Sequence, residues 1–254
     1  MIGIYFSGTG NTKFCVEHLI NGLDKNGTIY SIEDDCAAKA ITETDEIVFG
    51  YPVYYSDIPK IVRDFIVDNA ELWQGKKMFI IATMGLFSGD GAGCSARLFK
   101  RYGAKVLGGL HLKMPDCIGD VKILKKSLDD NRKLVSNAAS KIDKAVTGIK
   151  SGKYPKHGLN FAYRMAGLFG QRLYFRKKTK NYYKKIKVNN DLCVACGMCV
   201  SLCPMKNIEK QNDKIEFKDK CTMCYRCFAN CPKKAITIVG KKVYEQCKID
   251  KYKN

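Results

Sequence analysis

The sequence is poor in histidine, proline and tryptophan, with three, six and one among 254 residues. His18, His111 and His157 stand apart, without H-E-x-x-H spacing, so no histidine-built metal site is implied and no nucleophile–base pairing can be recognised. No run approaches the roughly 18 consecutive apolar residues that a membrane-spanning helix needs. The start has no basic stretch leading into an apolar one. The expectation is therefore that no signal peptide is present, that the first strand begins at Met1 and that the protein works in the cytoplasm. One whole segment lacks acid: residues 150–188 contain 12 Lys and Arg and no Asp or Glu.

Cysteine, in contrast, is abundant. Thirteen in a cytosolic chain point to metal or redox chemistry rather than disulfides. Eight lie between Cys193 and Cys231. The others, Cys15, Cys36, Cys94, Cys117 and Cys247, read as small apolar side chains in a reducing cell. Cys94 adjoins a glycine-rich loop and has a second reading as a sensor of oxidation. Residues 1–149 are nearly neutral, with 19 basic and 18 acidic side chains, and residues 189–254 carry 13 and 7. The net charge of +19 is thus mostly a property of the middle segment. With 46% hydrophobic residues the chain can bury the core of one large or two modest domains.

Residues 1–149 alternate strand-like runs with helical patterns, as a parallel-sheet α/β domain does. Strands are expected at Met1–Phe6, Thr28–Ile32, Glu46–Tyr51, Lys77–Ala82 and Lys105–Met114. Helices are expected from Asn11 to about Asp24, after Ile58-Pro59, and over Ala92–Tyr102. Leu128, Val135, Ala138, Ile142, Ala145 and Ile149 mark one further amphipathic helix. The result is a small doubly wound domain with five strands.

From residue 189 a unit is duplicated at an offset of 28, pairing Cys193 with Cys221, Cys196 with Cys224, Cys199 with Cys227 and Cys203 with Cys231. Each half reads C-x2-C-x2-C-x3-C-P. Two-residue spacers let three thiolates point inward around one cuboidal iron–sulfur cage, and the fourth thiolate comes from elsewhere. Structural zinc would use two pairs at longer separation, and would need neither the third cysteine nor the proline. The unit resembles a bacterial-type ferredoxin with two [4Fe–4S] clusters, over about residues 186–240. In that arrangement the fourth cysteine of each run serves the other cluster. Cys193, Cys196, Cys199 and Cys231 would hold cluster one, and Cys221, Cys224, Cys227 and Cys203 cluster two. Unlike many such ferredoxins, this module is net basic.

The turn Ser7-Gly8-Thr9-Gly10-Asn11-Thr12 follows the first strand and opens a helix. It lacks the Gly-Lys-Ser/Thr of a nucleoside-triphosphate loop, and Lys13 replaces the third glycine of a dinucleotide fingerprint. Hydroxyls and backbone N–H groups at a helix N-terminus can surround a terminal monophosphate. The alternative is a glycine-rich turn with no ligand. The next two strand ends read YPVYYSDIP, with aromatics that can stack on a flat ring, and ATMGLFSGDGAG, with flexible backbone. Together the three loops resemble flavodoxins. The resemblance implies FMN, with Ser7, Thr9, Gly10, Asn11 and Thr12 at its phosphate. Pro52, Val53, Tyr54 and Tyr55 would lie along the ring, and Thr83, Met84, Gly85, Phe87, Gly89, Asp90 and Gly91 around its edge. Tyr51 reads as core.

The combination is similar to the flavodoxin–ferredoxin fusion proteins of anaerobic bacteria. It implies a five-stranded parallel flavodoxin-like FMN-binding domain over 1–149 and a basic, partly helical connector over 150–185. A small α+β ferredoxin-like domain with a C-terminal tail would occupy 186–254. In the connector, Ala162, Ala166, Phe169 and Leu173 lie at helical spacing and could bury one stripe. The segment reads as a packing helix that steers an acidic redox protein such as a ferredoxin. Contact with an anionic membrane is a second reading, a cover over the flavin a third, and nucleic acid is not expected. The function expected is an electron relay between two clusters and FMN, hence between one- and two-electron partners. Two alternatives stand beside it: a flavin-dependent reductase of a small substrate, with Asp90 or the connector as its only apparent acid/base or lid, and a redox sensor.

Overall fold

A computed structural model describes residues 1–178, 182 and 185–253. The readings made for residues 179–181, 183 and 184 of the connector, and for Asn254, fall outside the described residues.

The N-terminal half runs β1 (Ile2–Tyr5), α1 (Asn11–Leu23), β2 (Thr28–Ser31), α2 (Ala37–Thr42), β3 (Glu46–Pro52) and α3 (Lys60–Asp68). It continues with β4 (Lys77–Met84), α4 (Gly91–Arg101), β5 (Lys105–Lys113) and α5 (Leu128–Lys150). The five strands pair in parallel in the order β2-β1-β3-β4-β5. Strands buried on both faces carry near-continuous apolar runs, as in IVFGY of β3 and MFIIATM of β4. The fold class read from the sequence is the one observed, although the short helix α2 had no expectation attached to it.

Each face of the sheet has its own core. On one, Phe49 meets Trp73 and Phe99 edge-on, at ring distances of 6.2 and 4.9 Å, above Val62 and Ile66 of α3. The single tryptophan is fully buried and donates its indole N–H to the Ile66 carbonyl at 2.8 Å. On the other face α1 and α5 pack side by side, through Val16, Leu19 and Ile20 against Val146, Ile142 and Ala138. Of the stripe expected on α5, only Leu128 is exposed, since it begins the first turn beyond the sheet.

After α5 the connector is not one unit. Residues 155–157 pair with the edge of β5: Gly109 N–H donates to the Pro155 carbonyl at 2.8 Å, and His157 N–H to the Gly109 carbonyl at 2.9 Å. Next come α6 (Phe161–Gly167), a π-turn over Leu168–Arg172 and α7 (Leu173–Lys178). Here the expected stripe is corrected. Ala162, Ala166, Phe169 and Leu173 are all exposed, because Gly167, Arg172 and Phe175 face the N-terminal domain instead.

The C-terminal unit comprises β6 (Lys187–Val188), α8 (Met198–Ser201), β7 (Ile208–Gln211), β8 (Lys214–Phe217), α9 (Arg226–Asn230) and β9 (Ile236–Thr237), around Phe228, Ile208, Ile236 and Ile238. The duplication seen in sequence recurs in the backbone. Ala195 and Met223, Gly197 and Tyr225, and Lys206 and Lys234 all take positive φ, at the same offset of 28.

The two units interlock. Asp120, 1% exposed in the loop after β5, accepts from the backbone N–H groups of Ile238, Val239 and Gly240 at 2.6–3.0 Å and from the Tyr225 hydroxyl at 3.1 Å. A carboxylate held by four donors repays its burial, and removing it strands three N–H groups. The chain beyond residue 240 returns to the first unit, where Cys247, Ile249 and Tyr252 join the α1/α5 core.

The loop after β4 is held by His111. Its Nε2 accepts from Ala92 N–H at 3.2 Å, which leaves Nδ1–H to donate to the Ser88 hydroxyl at 2.9 Å. That tautomer cannot take a proton from Ser88, so the pair is a structural tie and not a nucleophile with its base. Burial lowers the His111 pKa to about 4.

Two outcomes are expected. Asp120→Ala should lower unfolding free energy by about 3 kcal/mol in urea titrations, in the range for a broken buried charge network. Because His111 must charge on unfolding, its stabilising contribution is complete above about pH 6.5 and falls as pH drops toward 4. The loss follows a slope of up to about 1.4 kcal/mol per pH unit. His111→Gln should flatten that part of the stability–pH curve relative to wild type.

Candidate functional site

At the carboxyl ends of β1, β3, β4 and β5 lies a cleft of about 280 Å³, where ligands of open α/β sheets bind. Helix α1 opens against it with Gly10 at φ +93°, no side-chain cap and no acidic residue in its first turn. Uncapped N–H groups with a positive helix end suit a phosphate dianion. Ser7, Thr9, Asn11 and Thr12 line the cleft, and the Thr12 hydroxyl meets that of Thr83 at 2.8 Å. Gly10 does not line it; Ile249 packs where its side chain would be. Asn11 donates to the Pro115 carbonyl at 2.7 Å, which leaves its buried Oδ1 without a partner.

Pro52, Val53, Tyr54 and Tyr55 form the wall contributed by β3. Tyr55 and Ser56 both take positive φ, 52° and 60°, inside a turn closed by mutual backbone bonds between Tyr54 and Asp57. Neither residue is glycine, so the turn is strained. The connector props it. Arg172 donates to the Ser56 carbonyl at 2.6 and 2.9 Å, and Phe175 lies against Tyr55 at 4.4 Å between ring centroids. Gln171 and Phe175 themselves line the cleft.

Of the β4 loop, Thr83, Met84, Gly85 and Phe87 line the cleft, whereas Gly89, Asp90 and Gly91 do not. Asp90 is fully buried between Arg97, at 2.7 Å, and Arg172. It is thus a tie for the connector and has no access to the cleft. Gly89 packs on Gly167, and Gly91 accepts from Tyr51, whose buried ring is the core residue expected. Burial pushes the nearby Cys94 thiol up to about 12, which makes it a poor sensor of oxidation. Cys36 is exposed rather than packed.

The cleft also has a wall that sequence spacing did not indicate: Met114, Pro115, Asp116, Cys117 and Ile118 after β5, and Cys224 from the other unit. Asp116 is the acidic side chain of the cleft, and burial raises its pKa from the ordinary value. Only a contact map could have brought these residues forward, since they lie over 100 positions from the phosphate turn.

The eight repeat cysteines line two separate cavities. Cys193, Cys196, Cys199 and Cys231 share one with Val188, Ile215 and Ile236. Cys203, Cys221, Cys224 and Cys227 share the other with Ile186, Ile208 and Ile238. In each cavity the fourth cysteine of one run joins three of the other. Equivalent backbone groups reach equivalent sulfurs: Asn207 N–H donates to Cys203 Sγ and Ala235 N–H to Cys231 Sγ, both at 3.3 Å. Two apolar cavities with four thiols and N–H···S support apiece fit the donor chemistry of iron–sulfur clusters.

The second cavity abuts the cleft at the strand ends. Cys224 belongs to both, and the backbone of Gly8 lies against its carbonyl, so that a Cβ on Gly8 would overlap it. Arg226 clamps the junction, with both nitrogens on Glu33 at 2.6 and 2.7 Å and one on the Ser7 carbonyl at 2.9 Å. The Ile249 N–H donates to the Thr9 carbonyl at 3.0 Å. Among the described residues no helix is long and apolar enough to cross a membrane.

Among solved structures the chain is similar to a two-electron reduced flavodoxin of Megasphaera elsdenii, at 24% identity over 56% of this chain and 99% of that one, with a TM-score of 0.42. It is similar to a flavodoxin from the domain Archaea at 18% identity, over 59% and 97%, with a TM-score of 0.42. A Fusobacterium nucleatum flavodoxin bound to flavin mononucleotide matches at 19%, over 59% and 96%, with the same score. No curated protein matches the chain. Residues 2–114 match the family model of the flavodoxin domain, and residues 178–236 that of a 4Fe-4S dicluster domain. The chain joins a flavodoxin domain to a 4Fe–4S dicluster domain, as flavodoxin–ferredoxin-type fusions do, and has the make-up of a flavin and iron–sulfur electron-transfer protein.

Proposed function

We propose that the protein relays electrons between two [4Fe–4S] clusters and FMN, and so between one-electron and two-electron redox partners. A bound [4Fe–4S] cluster exchanges single electrons, and FMN takes up one or two. The observation that carries the reading is Cys224, which lines both the second thiol cavity and the flavin-type cleft. In this reading Cys193, Cys196, Cys199 and Cys231 hold the outer cluster, and Cys203, Cys221, Cys224 and Cys227 the inner one. Ser7, Thr9, Asn11 and Thr12 hold the phosphate, while Tyr54, Tyr55 and Phe175 cover the ring and exclude water.

The outer cavity has the exposed side chains of Val194 and Met198 beside it, with Lys187 and Lys233 nearby in sequence and exposed. An apolar centre with a basic surround suits an acidic one-electron protein such as a ferredoxin. A second reading, a flavin-dependent reductase of a small molecule, gains support from Asp116. This carboxyl sits in the cleft and burial keeps it more protonated than usual, so it can hold a proton for a reduced substrate.

Anaerobic reconstitution should give about eight iron atoms and one FMN per chain. Cys196→Ser and Cys224→Ser should each reduce the iron content by about half while keeping the other cluster's spectrum. About four iron atoms per chain in fully reconstituted wild type would contradict the two-cluster reading. Reduction through an acidic ferredoxin, followed by addition of oxidants, separates the two functions. Reoxidation only by redox proteins supports the relay. Saturable turnover of a small molecule, weakened more than tenfold by Asp116→Asn at the acidic end of its pH profile, supports the reductase.

A further inference from the structure

The connector turns an apolar face outward beside the flavin-type cleft. Its orientation is fixed from the inner side, where Gly167 abuts Asp90, Arg172 holds Asp90 and the Ser56 carbonyl, and Phe175 packs on Tyr55. The outer side therefore presents Phe161, Phe169 and Leu173, which are 71%, 65% and 50% exposed. Leu86 and Phe87 of the β4 loop, also exposed, extend the patch; the Phe87 ring lies within contact distance of a Cβ placed on Gly170. Exposed apolar residues scattered singly are ordinary, but a contiguous aromatic and aliphatic patch marks an interaction surface.

Charge selects the occupant. Residues 150–188 carry 12 basic and no acidic side chains. Among the described ion pairs, Arg172 is the one basic side chain of this segment with an acidic partner, and Lys150, Lys153 and Arg164 are exposed. A protein–protein interface carries about one hydrogen bond per 100–200 Å² beside its apolar centre. The stripe Ala162, Ala166, Phe169, Leu173 offers no hydrogen-bonding side chain at all. Exposed Phe and Leu on a short helical stretch, in a segment whose own sequence supplies Lys and Arg and no carboxylate, match a plane of anionic headgroups over an acyl interior.

We propose that this face docks on an anionic lipid surface, with Phe169 and Leu173 entering the headgroup–acyl boundary. Leu86 and Phe87 line the cleft as well as the patch, so docking sets the mouth of the cleft at the lipid surface. The inference stands on the patch and its charge, and does not depend on which groups fill the cleft or the thiol cavities.

The test is sedimentation of the reconstituted full chain with vesicles of phosphatidylcholine alone and of phosphatidylcholine mixed with phosphatidylglycerol. The protein should sediment with the mixed vesicles, less so at high salt, and stay free of the neutral ones. Phe169→Ser with Leu173→Ser should lower the bound fraction about tenfold or more, at unchanged flavin and iron content. Phe169→Leu with Leu173→Phe should retain binding. Three results would overturn the proposal: no sedimentation with anionic vesicles, equal sedimentation of the Ser variant, which would reduce the effect to charge alone, or binding confined to an acidic ferredoxin and lost in the Ser variant.

Discussion

The backbone of Gly8 rests against the carbonyl of Cys224, and no side chain can stand between them. This contact joins the turn that opens α1 to the loop that lines the inner thiol cavity. Most of the remaining architecture holds it closed. Arg226 spans from Glu33 to the Ser7 carbonyl, Ile249 bonds Thr9 from the returning tail, and Asp120 gathers three backbone N–H groups and Tyr225. These ties are buried or half-buried, where charge-assisted bonds are strong and poorly screened. The separation between the two kinds of site is thus set by backbone packing.

The connector has a comparable place on the other side of the cleft. Tyr55 and Ser56 adopt left-handed conformations that cost energy, and the cost is offset by Arg172 and Phe175. Asp90, buried without access to the cleft, is what keeps Arg172 there. A single buried carboxylate therefore couples the connector to the loop after β3, much as Asp120 couples the second domain to the end of β5.

What the sequence shows depends on how local the signal is. The phosphate turn, the five strands and the cysteine runs are legible because their chemistry is set by spacing within a dozen residues. The exchange of Cys203 and Cys231 is what the resemblance to two-cluster ferredoxins implies, and the thiol cavities are lined by the same two sets of four. Asp90 misleads because glycines on either side suggest a ring-edge loop, whereas its partner Arg172 lies 82 positions away. The connector stripe has helical spacing, but periodicity tells which residues share a face and not whether that face meets protein or solvent. Asp116, Cys117 and the tail residue Ile249 carry no motif, and only the fold brings them to the site.

Mediation by the inner thiol set, between the outer one and the flavin, is what the proposed relay requires. It is tested most directly by bleaching of flavin absorbance after mixing with a reduced one-electron donor, in wild type and in Cys224→Ser, both reconstituted and loaded with FMN. The variant should still accept electrons at its outer cluster while flavin bleaching slows by at least about tenfold. Bleaching at the wild-type rate in a variant shown to lack the inner cluster would contradict it.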